Sequence, residues 1–175
     1  FFADDVLKKI PVAGGAPVTL CRAGLSRGAS WGADDTIVFG TLDHGLRRVS
    51  AAGGEPENIA TFSAGDVWHR WPHFLPGGRA LLFVSVFRGS PMMNVEVLDL
   101  VRGERNVVYR GGTAPSYLPT GHLAFVEGGT LFLAPFDLER LEVSGAPLAV
   151  VENLSFSGTS GSASYALSES GTLLY

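Results

Sequence analysis

Apolar positions along this chain come in short runs, and each run ends in turn chemistry. Ala80-Leu81-Leu82-Phe83-Val84 is a continuous apolar segment of strand length, the pattern of a strand covered on both faces. Before it, Trp71-Pro72-His73-Phe74 is a short extended run in which proline fixes φ. Between the two lies Leu75-Pro76-Gly77-Gly78, where proline presets the first corner and glycine accepts positive φ. Further on, Val95 and Val97 alternate with Asn94, Glu96 and Leu98, which predicts a half-buried strand. No segment repeats apolar residues at the helical period over a useful length, so the chain reads as all-β.

The unit of aromatic, turn and apolar strand occurs four times. The aromatics before the turns are Trp31, Phe74, Tyr117 and Tyr165, at steps of 43, 43 and 48 residues. The strands that follow are Thr36-Ile37-Val38-Phe39, Ala80 to Val84, His122-Leu123-Ala124-Phe125 and, after the turn Ala166-Leu167-Ser168-Glu169-Ser170-Gly171, Thr172-Leu173-Leu174-Tyr175. A period of about 40–45 residues with four strands per unit is the signature of a β-propeller blade. The expected architecture is a partial β-propeller of four-stranded antiparallel blades, about four blade-equivalents long. The boundaries are a half-blade over 1–21, blades over about 28–64, 70–110 and 114–152, and a half-blade over 162–175. In the first half-blade, Val6–Val12 and Val18–Cys21 flank Ala13-Gly14-Gly15-Ala16-Pro17. Thr130–Phe136 returns to Leu148–Val151 through a longer excursion over 138–147, and the Gly/Ser-rich segment 155–164 is a lengthened loop at the 48-residue step. Recurrence in each unit assigns Trp31, Phe39, Phe74, Phe83, Tyr117 and Phe125 to packing between blades.

Composition narrows the picture little. The chain has 175 residues, 46% hydrophobic and 17% charged, which suits one globular domain. The net charge of −4 is spread without blocks or a basic stripe, so nucleic acid is not an expected partner. Cys21 is the only cysteine, which rules out an internal disulfide and leaves the compartment open. No apolar run is long enough for a membrane helix. With no initial Met and no signal peptide, the chain reads as a fragment or processed product.

The units Pro72-His73-Phe74-Leu75-Pro76-Gly77-Gly78 and Pro115-Ser116-Tyr117-Leu118-Pro119-Thr120-Gly121 resemble the TolB-like, WD-repeat-like propeller family, with Gly77 and Thr120 where that repeat carries Asp. Phe1-Phe2-Ala3-Asp4-Asp5, Gly28-Ala29-Ser30-Trp31-Gly32, His69-Arg70-Trp71-Pro72 and Ala134-Pro135-Phe136-Asp137 resemble more closely the propeller that follows the kinase domain in bacterial membrane-anchored Ser/Thr kinases. That resemblance implies an extracytoplasmic sensor or interaction domain with no catalytic motif of its own. Gly-x-Gly and His-Arg-Asp are absent, so this chain does not transfer phosphate.

Candidate chemistry is sparse. His69 and His73 would lie about 13 Å apart along a strand, too far to share one zinc. Ser157, Ser160 and Ser162 lack the Gly-x-Ser-x-Gly elbow. No catalytic set, metal site or cofactor site is expected. The residues that stand out are Arg27, Asp66, Trp68, His69 and Arg70, just before or at the start of a blade's first strand and so at one mouth of a central channel. Arg27 and Arg70 occupy matching places in neighbouring blades, and two guanidiniums there suit a carboxylate or an acidic peptide end. The expected function is a non-enzymatic module binding a protein, peptide or small ligand. The alternative is the gating propeller of a prolyl-oligopeptidase-like hydrolase. Unpaired blade edges also predict self-association of the isolated chain.

Overall fold

The computed structural model describes residues 1–90, 92–168 and 170–175; the expected turn at Glu169 therefore lies partly outside the described residues. Every regular element among the described residues is a strand. The first sheet is β1 (Phe2–Ala3), β2 (Val6–Lys9) and β3 (Val18–Arg22), joined antiparallel in that order. The second is β4 (Ser26–Trp31), β5 (Thr36–Thr41), β6 (Gly45–Ser50) and β7 (Glu57–Ala60). The third is β8 (Asp66–Phe74), β9 (Ala80–Phe87), β10 (Met93–Asp99) and β11 (Glu104–Arg110). The fourth holds β12 (Thr113–Leu118), β13 (His122–Glu127), β14 (Thr130–Asp137), the short β15 (Glu142–Val143) and β16 (Leu148–Val151). Finally β17 (Ala166–Leu167) pairs with β18 (Leu173–Leu174). The sheets are antiparallel meanders in which consecutive strands are neighbours, except that β15 and β16 both pair with β14. Three strands depart from expectation: β1 adds a third strand to the first half-blade, β2 ends at Lys9, before Pro11, and the excursion over 138–147 contains β15, which adds a fifth strand to its sheet.

The turns follow the residues. The Gly78 N–H donates to the Leu75 carbonyl at 3.1 Å, and Gly77 and Gly78 sit at φ 79° and 68°, which closes the β8–β9 hairpin.

The core is stacked between sheets. On one face of the third sheet, Leu81, Phe83 and Leu98 pack with Val38 and Leu46 of the second sheet. On the other, Leu82, Val95 and Val97 pack with Leu123, Phe125 and Ala134 of the fourth. This corrects the half-buried reading of β10, in which all seven residues are buried. Alternation does send Val95 and Val97 to one side and Glu96 and Leu98 to the other, but both sides are covered. Its two carboxylates survive burial because they are paired. Glu96 accepts from Arg105 Nε at 2.7 Å, and Asp99 accepts from Arg79 Nη2 at 2.8 Å.

Of the six aromatics assigned to inter-blade packing, Phe39, Phe83 and Phe125 are fully buried. Phe74 and Tyr117 are partly buried against the same clusters. Trp31 is corrected: it is 51% exposed. It ends β4, where the strand leaves the stack, and its indole N–H turns back to Asp35 Oδ1 at 3.1 Å.

Candidate functional site

The first strands β4, β8 and β12 share a defect that a regular ladder does not have. Pairing with the second strand shifts between Ser26 and Ala29, between Arg70 and His73, and between Thr113 and Ser116. Inside each break a residue lies in the left-handed region: Gly28 at φ 79°, Trp71 at 51° and Ala114 at 49°. These are β-bulges at the 43-residue step, and they bend each strand at the same level. Trp71 and Ala114 carry the strain that a side chain meets there, about 1–3 kcal/mol each. Gly28 avoids it for a second reason: a Cβ there would stand 2.7 Å from Trp71 Cε3, so the indole packs directly on the glycine. A cavity of about 280 Å³ between these strands is lined by Gly28, Trp71, His73, Ala114, Ser116 and Tyr165, among others. It lies where these first strands meet the segment around Ala163.

The segment 157–162 lies against the first strands β8 and β12. The Trp71 indole N–H donates to the Ser160 carbonyl at 3.0 Å, Thr113 Oγ1 to the Gly161 carbonyl at 2.7 Å, and Arg70 Nη1 to the Thr159 carbonyl at 2.6 Å. Tyr165 reaches the Ala114 carbonyl, and its burial pushes the phenol pKa up to about 12. The lengthened loop seen in the sequence is thus a strap of carbonyls across the first strands.

Of the five residues singled out from the sequence, Arg27 lies on β4, and the other four part company on alternate faces of β8. Asp66 and His69 turn toward the second sheet and are corrected from channel mouth to interior: both side chains are 0% exposed. Asp66 Oδ2 accepts from Arg105 Nη1 at 2.7 Å and from the Ser63 N–H at 2.9 Å, and it lies 3.0 Å from His69 Nε2. Arg105 extends from β11 across the sheet. It donates to Glu96 on β10, passes over the Phe83 ring on β9 at 5.4 Å and ends at Asp66 on β8. The His69 ring meets Phe62 and Phe83 edge-on, each at 5.0 Å between centroids. Burial raises the pKa of Asp66, but the bonds from Arg105, Ser63 and His69 outweigh it and hold the carboxyl below its ordinary value. Burial lowers that of His69 more than Asp66 raises it, so the imidazole is held toward the neutral form. Burial alone lowers His73.

These histidines set a pH response. A depressed histidine pKa leaves stability intact above the unfolded value of about 6.5 and removes it as pH falls toward the folded value, because the unfolded chain takes the proton first. Urea unfolding at pH 7.5 and pH 5 is expected to show lower stability at pH 5. The drop should shrink in the His69→Gln/His73→Gln variant; an unchanged drop would assign it to other groups.

Arg70 lies on the other face. The residue is 3% exposed, its guanidinium sits 4.4 Å over the Trp68 ring, and its Nε–H finds no acceptor among the described residues. Burial, then the neighbouring Arg27, lowers its pKa. Arg27 donates Nη1 to the carbonyl of Ser26 at 3.0 Å. Among the described residues neither arginine pairs with a carboxylate, although the chain has 17 acidic residues to 13 basic. Arg27, Trp68 and Arg70 therefore form a cationic cluster, with Asp66 and His69 bracing the strand that carries it. No group of three or more His, Cys, Asp or Glu among the described residues is placed to hold a metal ion. Arg105 and Glu96 went unnoticed in the sequence; Glu96 amid valines on a strand was the available sign.

No protein-family model matches the chain, and no curated protein matches it significantly. Solved structures share its fold. An oligogalacturonate lyase in complex with manganese superposes with a TM-score of 0.61 at 14% identity, covering 89% of this chain and 48% of that one. A nidogen/laminin complex gives 0.58 at 17% identity, covering 74% and 52%. The β-propeller domain of the trilobed protease from Pyrococcus furiosus, described as having an open velcro topology, gives 0.50 at 13%, covering 75% and 44%. The chain spans about half the length of each. At these identities the likeness speaks for fold, and with the stacked four-stranded meanders it identifies the chain as a β-propeller arc.

Proposed function

We propose that the chain is a non-enzymatic binding module whose Arg27–Arg70 mouth takes an anionic ligand, a carboxylate or the acidic end of a peptide. One observation carries this: Arg70 is buried, has a spare N–H and no carboxylate, and a second guanidinium stands beside it. A buried cation without a counter-charge is costly, and two close together more so. An entering carboxylate relieves both, accepting from each fork with charge-assisted bonds. Trp68 fixes the Arg70 plane, and Asp66 with His69 fixes β8 beneath it. The likeness of the repeat to TolB-like propellers and to propellers following membrane-anchored kinase domains accords with a sensor or interaction role outside the cytoplasm.

The Arg27→Gln/Arg70→Gln variant tests the proposal by calorimetry with an acetylated peptide ending in Asp-Asp. Each charged hydrogen bond contributes about 1.5–3 kcal/mol. Losing two is expected to weaken binding by at least about 100-fold while the melting temperature holds. Unchanged affinity in the double variant would return both arginines to a solvated role.

A further inference from the structure

We propose that the opposite mouth of the channel is a second binding site, for a neutral sugar ring. There the first strands end rather than begin, and a cavity of about 390 Å³ opens among Ser30, Trp31, His73, Phe74, Tyr117 and Ser168. Its volume lies within the range of small-molecule sites, about 300–1,000 Å³. No described residue lining it carries a formal charge, in contrast to the cationic mouth at the other end. An ionic ligand would be stripped of water there with no opposite charge to meet it.

The lining is amphipathic instead. Trp31 also lines a separate cavity, beside Leu7, Ile10 and Ile37, so it stands between two open spaces. Its indole N–H is tied to Asp35, which fixes the ring plane while half the residue stays exposed. An exposed, oriented indole with Phe74 and Tyr117 nearby offers flat apolar surface to the C–H face of a pyranose. The polar partners are neutral and available. Ser30 Oγ accepts the Phe74 N–H at 3.0 Å, which leaves its own hydrogen free to donate. His73 makes no side-chain hydrogen bond among the described residues, and as a neutral imidazole it offers one donor and one acceptor to ring hydroxyls. Faces that are apolar and edges that are hydrogen-bonding, all without charge, suit a neutral sugar better than an acidic sugar or a peptide terminus.

The test is a fluorescence and calorimetric titration of the full chain with maltotriose, cellotriose and mannotriose, beside a uronate trimer and a proline-rich peptide. At least one neutral trisaccharide should saturate the signal below about 10 mM, with Trp31→Ala weakening it at least about tenfold. Trp31→Phe should keep part of the affinity, and serves if the alanine variant loses its melting transition. Arg27→Gln/Arg70→Gln should leave sugar binding unchanged, which separates this site from the anion site. Overturning results are no saturation by any neutral trisaccharide, affinity indifferent to Trp31, or binding confined to the uronate or the peptide.

Discussion

Replacing Phe83 by alanine is expected to lower the unfolding free energy by about 3–5 kcal/mol, the usual cost of emptying a buried aromatic site. Phe83 is fully buried at the middle of β9, a strand in which only the last residue is not buried. Its ring closes the seam with Val38 and Leu46 of the preceding sheet, meets the His69 ring edge-on, and lies under Arg105. Truncation therefore opens a void between two blades and loosens the neighbours that hold β8. That is a large share of the 5–15 kcal/mol typical of a domain, so the variant should melt well below the parent. Denaturant unfolding measures it; a loss under about 1 kcal/mol would contradict the blade packing.

Arg105→Met should cost a similar amount, about 3–5 kcal/mol, for an electrostatic reason. The substitution keeps an apolar stem of similar length over Phe83 but leaves Asp66 and Glu96, 0% and 3% exposed at their side chains, without their cation. Arg105→Lys should recover part of this, since an ammonium cannot fork between two carboxylates. Adding Asp66→Asn and Glu96→Gln to the methionine variant should restore most of the loss, because no buried charge then lacks a partner. The sign with pH follows from Asp66. Its depressed pKa gives stability that is present above the unfolded value of about 3.9 and lost as pH falls through the folded value. The gap between parent and variant should therefore narrow in acid. A methionine variant as stable as the parent at pH 7 would show the network to be dispensable.

The all-β architecture of four-stranded sheets was legible because it rests on local chemistry. Turn residues and the 43-residue spacing of Trp31, Phe74 and Tyr117 recur within short windows. Whether an aromatic is covered was less legible, since that depends on where its strand leaves the stack: Trp31 shares a repeat position with Phe74 yet ends exposed. The residues expected at a channel mouth were chosen by their place near the start of a first strand, which does not say which way each side chain turns. Their division between interior and channel depends on the alternation of β8, whose start at Asp66 no apolar pattern announces. The Asp66–Arg105 pair joins residues on the innermost and outermost strands of one sheet, 39 positions apart, so no local motif exists to betray it. The bulges were hidden for the same reason: Ala114 at positive φ is a consequence of packing, not of alanine's preference.

The anion-binding claim is tested most directly at the guanidiniums themselves, by side-chain nitrogen–proton NMR of the arginines during titration with the acetylated Asp-Asp peptide. The Nε–H signals of Arg27 and Arg70 should move together and saturate at one midpoint, while Arg105, already held by Asp66 and Glu96, and the exposed Arg140 stay in place. Arg27 and Arg70 signals that stay fixed, or drift no further than that of Arg140, would contradict it.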